Sequence, residues 1–215
     1  GIAERITTHI DPFYGATPPK YFIGVTGTKG KGTTSTLITE MLKARNKDVW
    51  LGGNIGVPPL SFVGKLKTDS WVVLELSSFQ LIDCRYSPQI GVCLMIVPEH
   101  LNWHIDMDEY VDAKSHMFAH QTANNVAIYN SNNEYSKKIA STGKARQVPY
   151  MTSPGAYVED AAITIDDTHI IDVSELKLLG EHNWQNICAA VTAVWQAGMR
   201  DIEVIRAVLK DFSGL

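Results

Sequence analysis

The chain lacks any apolar run near the ~20 residues that a membrane-spanning helix requires. No basic-then-apolar leader opens it. Cysteine is scarce: Cys84, Cys93 and Cys188 form an odd, scattered set in apolar surroundings, without CxxC spacing. That argues against a disulfide framework and for reduced thiols in a cytoplasmic protein. Positive charge is not in excess. With Lys+Arg 19 against Asp+Glu 23, the net charge is −4. Such a balance gives no broad attraction for nucleic acid or a membrane surface, so any anion has to be held by a local site. Internal repeats and low-complexity tracts are also missing. What remains is an ordinary globular mixture, 45% hydrophobic and 20% charged over 215 residues. That length fits one large domain or two small ones, with core enough to fold without staples.

The most informative stretch is Gly27-Thr28-Lys29-Gly30-Lys31-Gly32-Thr33-Thr34. The apolar run Tyr21-Phe22-Ile23-Gly24-Val25 precedes it, and Leu37, Ile38, Met41 and Leu42 follow at helical spacing. A buried strand, a glycine loop and a one-sided helix in direct succession gather free backbone N–H groups and a helix dipole at one point, with a lysine beside them. Such a point attracts phosphate. The full phosphate-loop pattern needs a glycine five residues before Gly30, where this chain has Val25, and a hydroxyl after Lys31, where it has Gly32. Thr33 and Thr34 are the nearest hydroxyls. An ordinary glycine-rich turn is the alternative.

Other polar residues fall at strand ends. Trp71-Val72-Val73-Leu74 runs straight into Glu75-Leu76-Ser77-Ser78-Phe79-Gln80. A carboxylate ending a buried parallel strand is costly unless it has a partner, and ligands in open α/β sheets sit at that edge. Glu75 therefore reads as a Mg²⁺ ligand in preference to a structural ion pair. Ile90 to Val97 is a second continuous run, ending in Pro98-Glu99-His100-Leu101-Asn102-Trp103-His104 on the same predicted edge. Either His100 or His104 is a candidate ligand there, and the pattern does not choose between them. After Val49-Trp50-Leu51, the glycine-rich loop 52–59 places Asn54 between glycines, with its side chain free to reach a ligand.

Helices are expected over Phe79–Tyr86, Met107–Gln121, Gly180–Trp195 (with Asn183 as a cap) and Ile202–Leu209. On the second of these, Lys114 falls on the apolar stripe with Tyr110, Val111, Met117 and Phe118. Spacing by itself favours a snorkelling lysine whose amine escapes to water. The sharper alternative is a desolvated, nucleophilic amine. Val126–Tyr129 reads as a fifth strand, and Ala162–Ile165 with His169–Ile171 as an antiparallel hairpin around Asp166-Asp167. Residues 131–160 mix helix and loop without a clear pattern. Residues 1–20, with Pro12, Gly15, Pro18 and Pro19, read as a lead-in or linker, and Gly1 without a methionine suggests a cut chain.

Taken together the motifs resemble the central ATP-binding domain of the Mur ligase family. The loop Gly27–Thr34 is similar to the family's Gly-Thr-x-Gly-Lys-[Ser/Thr]-Thr. Glu99-His100-Leu101 is similar to its Asp-His-Leu, Ala113-Lys114 to its Ala-Lys, and His182-Asn183-x-x-Asn186 to its His-Asn-x-x-Asn. Gly53-Asn54-Ile55-Gly56-Val57-Pro58 and Leu74-Glu75-Leu76-Ser77-Ser78-Phe79-Gln80-Leu81 resemble the D-glutamate-adding branch. Two departures are Gly32 in place of a hydroxyl and Glu99 in place of Asp.

The resemblance implies an α/β fold, a mostly parallel sheet flanked by helices with a small antiparallel sheet near 160–175. It implies an ATP-dependent ligase that joins D-glutamate to UDP-MurNAc-L-alanine through an acyl phosphate, in peptidoglycan precursor synthesis. ATP would lie on Gly27, Thr28, Lys29, Gly30, Lys31, Gly32, Thr33 and Thr34, with Asn183 and Asn186 toward the base. Thr33 and Glu75 would hold one Mg²⁺, and His100 and a carbamylated Lys114 a second. Asn54 would orient the substrate carboxylate, with Ser77, Ser78 and Gln80 nearby. The expected partners are the nucleotide-sugar substrate and D-glutamate in a full-length, monomeric enzyme. The resemblance places residues 21–215 in the central domain, without the family's UDP-binding and amino-acid-binding domains. Such a piece is expected to bind Mg-ATP weakly and to make no product alone. The competing readings are a folylpolyglutamate synthetase-like ligase, which Gly32 suggests, and a non-catalytic Mg-ATP-binding module.

Overall fold

The structure is a computed structural model that describes residues 10–16, 21–54 and 56–215. Its centre is a six-stranded sheet in the order β2-β3-β1-β4-β5-β6, with every neighbouring pair parallel. The strands are β1 (Tyr21–Thr26), β2 (Val49–Gly53), β3 (Trp71–Glu75), β4 (Ile90–Cys93), β5 (Val126–Asn130) and β6 (Arg146–Tyr150). Parallel strands need covered faces, which is why β1, β3 and β4 are nearly continuous apolar runs. Successive side chains serve opposite layers. Ile23 and Val25 join the core beneath α2 (Lys31–Ala44), α6 (Glu181–Gln196) and α7 (Ile202–Asp211). Phe22 points the other way, toward α1 (Ile10–Ala16), α3 (Ser78–Leu81), α4 (Met107–Ala119) and α5 (Glu134–Ala140).

A three-stranded antiparallel sheet, β7 (Tyr157–Glu159), β8 (Ala162–Ile165) and β9 (Thr168–Asp172), precedes α6. Its β8–β9 turn is the expected one: Asp166 and Asp167 both take positive φ (48° and 58°), as a two-residue hairpin turn requires. The expected α/β architecture is therefore the one observed. Among the described residues no helix is long and apolar enough to cross a membrane.

Several boundaries differ from expectation. The apolar run at 90–97 is strand only to Cys93, and Leu94 to Val97 continues as irregular chain. The helix expected over Phe79–Tyr86 is the single turn Ser78–Leu81. Residues 131–160 contain α5, β6 and β7, which carry no strong periodicity because they are short or lie at an edge. Within the stretch expected to be a lead-in, Ile10–Ala16 is helical, with Ile10, Phe13 and Tyr14 buried; residues 1–9 and 17–20 lie outside the described residues. Pro12 sits in the first turn of α1, where a missing N–H costs nothing. Phe13 meets Phe22 (6.2 Å) and Phe62 (5.8 Å) edge to face.

Order at the carboxyl edge follows from strand order. Because β1 lies between β3 and β4, the loops that follow these three strands open side by side. Gly53, Glu75, Val25 and Val92 occupy one row across β2, β3, β1 and β4.

If α1 is part of this core, Phe13→Ala should destabilise the fold by about 3–5 kcal/mol in urea denaturation. A loss below ~1 kcal/mol would mean that the helix is not packed as described.

Candidate functional site

The glycine loop between β1 and α2 is held from both sides. Thr28 N–H donates to Met95 O (3.0 Å), and Val97 N–H donates to Thr28 Oγ1 (3.0 Å). Thr28 Oγ1 is also 3.1 Å from the Tyr110 hydroxyl. Gly30, at φ 83°, is the N-cap of α2, and no side chain among the described residues caps that helix. The first-turn N–H groups of α2 are thus left for a ligand. The positive φ favours glycine at Gly30, and a Cβ there, 2.1 Å from Asn186 Oδ1, would force the Asn186 amide to move. Lys31 folds over the loop, its Nζ donating to Thr28 O (2.9 Å) and Gly27 O (3.2 Å). Burial lowers its pKa, and Glu75 and Glu99 partly oppose that.

Glu75 closes β3 at 2% exposure. Asn54 Nδ2 donates to its Oε1 (3.1 Å), while its Oε2 is buried without a hydrogen-bond partner among the described residues. Desolvation raises its pKa, against the Asn54 hydrogen bond and the charge of Lys31. An acid held this way accepts a cation readily. Gly53 lets the β2 backbone come close, since a Cβ there would lie 2.1 Å from Glu75 O. Ile55, in the same glycine-rich loop, lies outside the described residues. Among the described residues, no group of three or more His, Cys, Asp and Glu side chains gathers to hold a metal. A divalent ion here would have to complete its shell with ligand oxygens and water, as Mg²⁺ ordinarily does. In the first turn of α2, Thr33 is half-buried, whereas Thr34 is buried with its hydroxyl unpartnered among the described residues.

Lys114 corrects the snorkelling expectation. It is 1% exposed, and its Nζ donates to Gly27 O (3.0 Å) and reaches Thr26 Oγ1 (3.5 Å). The Tyr110 ring lies 4.6 Å from Nζ. The stem cannot reach water because α4 packs against the loop itself. Burial, and then the charge of Lys31, push its pKa down to about 7. Much of this amine is therefore neutral and nucleophilic near neutral pH.

The two histidines separate clearly. His100 is exposed, in the left-handed region (φ 58°), with Nε2 3.6 Å from Glu99 Oε2. His104 is buried, with Nε2 2.9 Å from Ser78 Oγ. Burial lowers its pKa, which Glu109 opposes. Ser77, Ser78 and Gln80, which the family pattern places at the substrate, have internal partners here. Gln80 Oε1 accepts from Ser77 N–H (2.9 Å) and Ser77 Oγ (3.0 Å), so the pair caps α3. Ser78 pairs with His104, a contact across 26 residues that no local pattern signals.

At the other flank, Asn186 lies against the loop, and its Nδ2 donates to Asn183 Oδ1 (3.3 Å). Gly180, not Asn183, is the N-cap of α6; Asn183 lies inside the first turn and donates to Leu179 O (2.7 Å). A cavity of about 140 Å³ opens between loop and helix, lined by Thr28, Gly30, Met95, Val97, Gln185 and Asn186 among others. Largely apolar walls with a few amides suit a flat heteroaromatic ring. Tyr150 and Gln185, which also line it, were not singled out by any sequence motif.

A parallel α/β sheet with an uncapped helix behind a glycine loop, and a lone acid on the neighbouring strand end, defines a phosphate-loop type of domain. The Mur ligase middle domain model matches residues 25–194, and the chain belongs to that family. It is 39% identical over 215 residues to the UDP-N-acetylmuramoylalanine–D-glutamate ligase of Bacillus subtilis (strain 168), covering 98% of this chain and 47% of that protein. To the enzyme of the same name from Geobacillus kaustophilus (strain HTA426) it is 42% identical over 200 residues, 90% of this chain and 44% of the other. The chain thus spans about half the length of the curated relatives it matches. Among solved structures, a UDP-N-acetylmuramoyl-L-alanyl-D-glutamate–2,6-diaminopimelate ligase superposes with TM-score 0.73 at 22% identity, over 94% of this chain and 49% of that one. The MurF ligase of Thermotoga maritima in complex with ADP gives 0.68 at 18% identity, over 95% and 51%. These two likenesses bear on the fold.

The buried amine has a thermodynamic consequence. Between about pH 7 and the ordinary lysine range, the unfolded chain holds a proton at Lys114 that the folded chain has lost. Stability from this group therefore rises with pH across that window and is lost as pH falls back toward 7. Lys114→Met should gain more stability over wild type at pH 7 than at pH 9.5, measured by denaturant unfolding. An equal difference at both values would mean that the amine titrates normally.

Proposed function

We propose that this chain is the nucleotide-binding part of an ATP-dependent amide ligase that adds D-glutamate to UDP-MurNAc-L-alanine. The observation that carries the reading is the convergence, on one sheet edge, of an uncapped helix N-terminus with Lys31 and a buried Glu75 oxygen without a partner among the described residues. The names of the curated relatives favour this substrate pair within the family. The ADP bound by the Thermotoga MurF ligase favours ATP as the nucleotide.

In this reading the loop amides and Lys31 receive the β- and γ-phosphates, exchanging the internal carbonyl bonds of Lys31 for charge-assisted ones. The cavity beside Asn186 receives the base. Glu75 and Thr33 would hold Mg²⁺, which supplies neutralisation of phosphate charge when bound. A carboxylate oxygen of the muramoyl substrate attacks the γ-phosphorus, the bond to ADP breaks, and an acyl phosphate forms. The amine of D-glutamate then attacks the acyl carbon, loses a proton, and phosphate departs. Asn54, whose Nδ2 donates to Glu75, would orient that carboxylate with its amide.

The residues fit a first cation at Glu75, whose Oε2 has no hydrogen-bond partner among the described residues. A second at His100 and Lys114 fits only when the amine is not a cation. Reaction of neutral Lys114 with CO₂ forms an N–C bond and releases a proton, leaving a carbamate whose oxygens can act as ligands. The depressed pKa keeps the reactive form available near neutrality.

Lys31→Ala should lower Mg-ATP affinity by about 2–3 kcal/mol in calorimetric titration while leaving the fold intact. Unchanged affinity in a folded variant would refute the phosphate assignment. Glu75→Gln should weaken ATP binding far more with Mg²⁺ than without it; equal losses would make Glu75 structural. With ¹³C-bicarbonate, a carbamate carbon signal should appear in wild type and be missing in Lys114→Met. Absence of the signal from wild type with Mg-ATP would rule out the modified lysine.

A further inference from the structure

His100 stands exposed on the loop after β4 with φ 58°. A non-glycine residue in that region persists where its surroundings over-determine it. His104 supplies much of that constraint. Its backbone N–H and that of Trp103 each donate to His100 O at 3.0 Å. Its side chain is fully buried, with Nε2 2.9 Å from Ser78 Oγ and Nδ1 3.5 Å from Glu109 Oε2. The ring stacks on Phe79 (5.7 Å, 8°) and packs against Trp103 (4.6 Å) and Tyr110 (5.3 Å). Glu109 in turn accepts from Ile105 N–H (2.6 Å), closing the far end of the loop.

One imidazole therefore touches three pieces of the edge, bonded to Ser78, packed on Tyr110 of α4 and carried by the turn after β4. Ser78 opens α3, three residues beyond Glu75. Glu109 lies in the first turn of α4, the helix that carries Lys114. His104 itself ends the turn that presents His100. The ring is oriented by its Nε2 contact to Ser78 and by aromatic packing, while Nδ1 is buried without a hydrogen-bond partner among the described residues. An apolar replacement of similar size would fill the space but leave the Ser78 hydroxyl and the turn without their anchor.

We propose that His104, with Ser78 as its partner, is a positioning residue that fixes where His100 stands over the strand ends. In doing so it sets the second cation position. This rests on the ligase reading above, and it assigns Ser78 to the support of the site rather than to contact with substrate. Outer partners of this kind tune metal affinity by holding a ligand in place.

The test uses Mn²⁺ as the probe, titrated into the chain with ATP and bicarbonate and followed by electron paramagnetic resonance. Wild type is expected to hold a tight first and a weaker second Mn²⁺. His104→Leu should weaken the second by about 10–100-fold while leaving the first Mn²⁺ and ATP affinity unchanged. His104→Gln, which can place a polar atom near the Nε2 position, should restore much of the loss. Ser78→Ala should weaken the second ion too, and combined with His104→Leu it should add little, because both break one contact. The His100 ring signals in ¹H–¹³C spectra should shift or broaden in both single variants. If His104→Leu does not fold, Ser78→Ala and His104→Gln carry the comparison. Unaltered second-ion affinity and unaltered His100 signals in folded variants would overturn the proposal while the ligase reading stands. A wild-type chain that binds ATP but holds only one Mn²⁺, or none, would overturn the second-cation reading and this proposal with it.

Discussion

A primary amine buried at 1% exposure, bonded to a carbonyl and a hydroxyl and paired with no carboxylate among the described residues, is the constraint on which this edge depends. Charge cannot be kept there cheaply, so the amine moves toward its neutral form. Lys31 lies close enough to push in the same direction. Glu75 is shifted toward neutrality from the acidic side, again by burial. Three ionisable groups thus share a poorly hydrated corner, and burial shifts the pKa of each toward its neutral form. A phosphate and a divalent cation arriving together would supply opposite charges to all of them. Shifted pKa values clustered in this way accord with the proposed phosphate and cation site.

Backbone geometry makes that corner possible. The glycine loop passes between the loop after β4 and the start of α6, and a side chain at Gly30 would displace the Asn186 amide. The parallel register puts Glu75 beside Val25, one residue before the chain turns into the loop. Tyr110 links the parts, with its hydroxyl on Thr28 and its ring against the Lys114 amine. Disturbing any one of these elements would alter both the phosphate loop and the lysine. The sheet edge is accordingly one connected set of contacts.

Much of this was legible before the fold was known, for a physical reason. Strands buried on both faces must be apolar throughout, so β1, β3, β4 and β5 announce themselves, and polar residues at their ends stand out. The inward stripe of α4 placed Lys114 on the buried face. Its depth was not legible, because spacing reports direction and not how far a neighbouring loop covers the amine. The edge strand β6, Arg146-Gln147-Val148-Pro149-Tyr150, has neither alternation nor a long apolar run, so it went unseen. Helix α1 was hidden by Pro12 and Gly15, although Phe13 is fully buried. The different environments of His100, exposed, and His104, buried, could not be told apart locally, since the Ser78 contact of His104 spans 26 residues.

The central claim is that burial holds the Lys114 amine near neutrality. Its most direct measurement is a heteronuclear NMR titration of the lysine side-chain ε-methylene signals, with Lys114 assigned by comparison with Lys114→Met. The account predicts a midpoint of about 7 for this one lysine. A midpoint in the ordinary lysine range, near ~10.4, would show a solvated, charged amine and contradict the account.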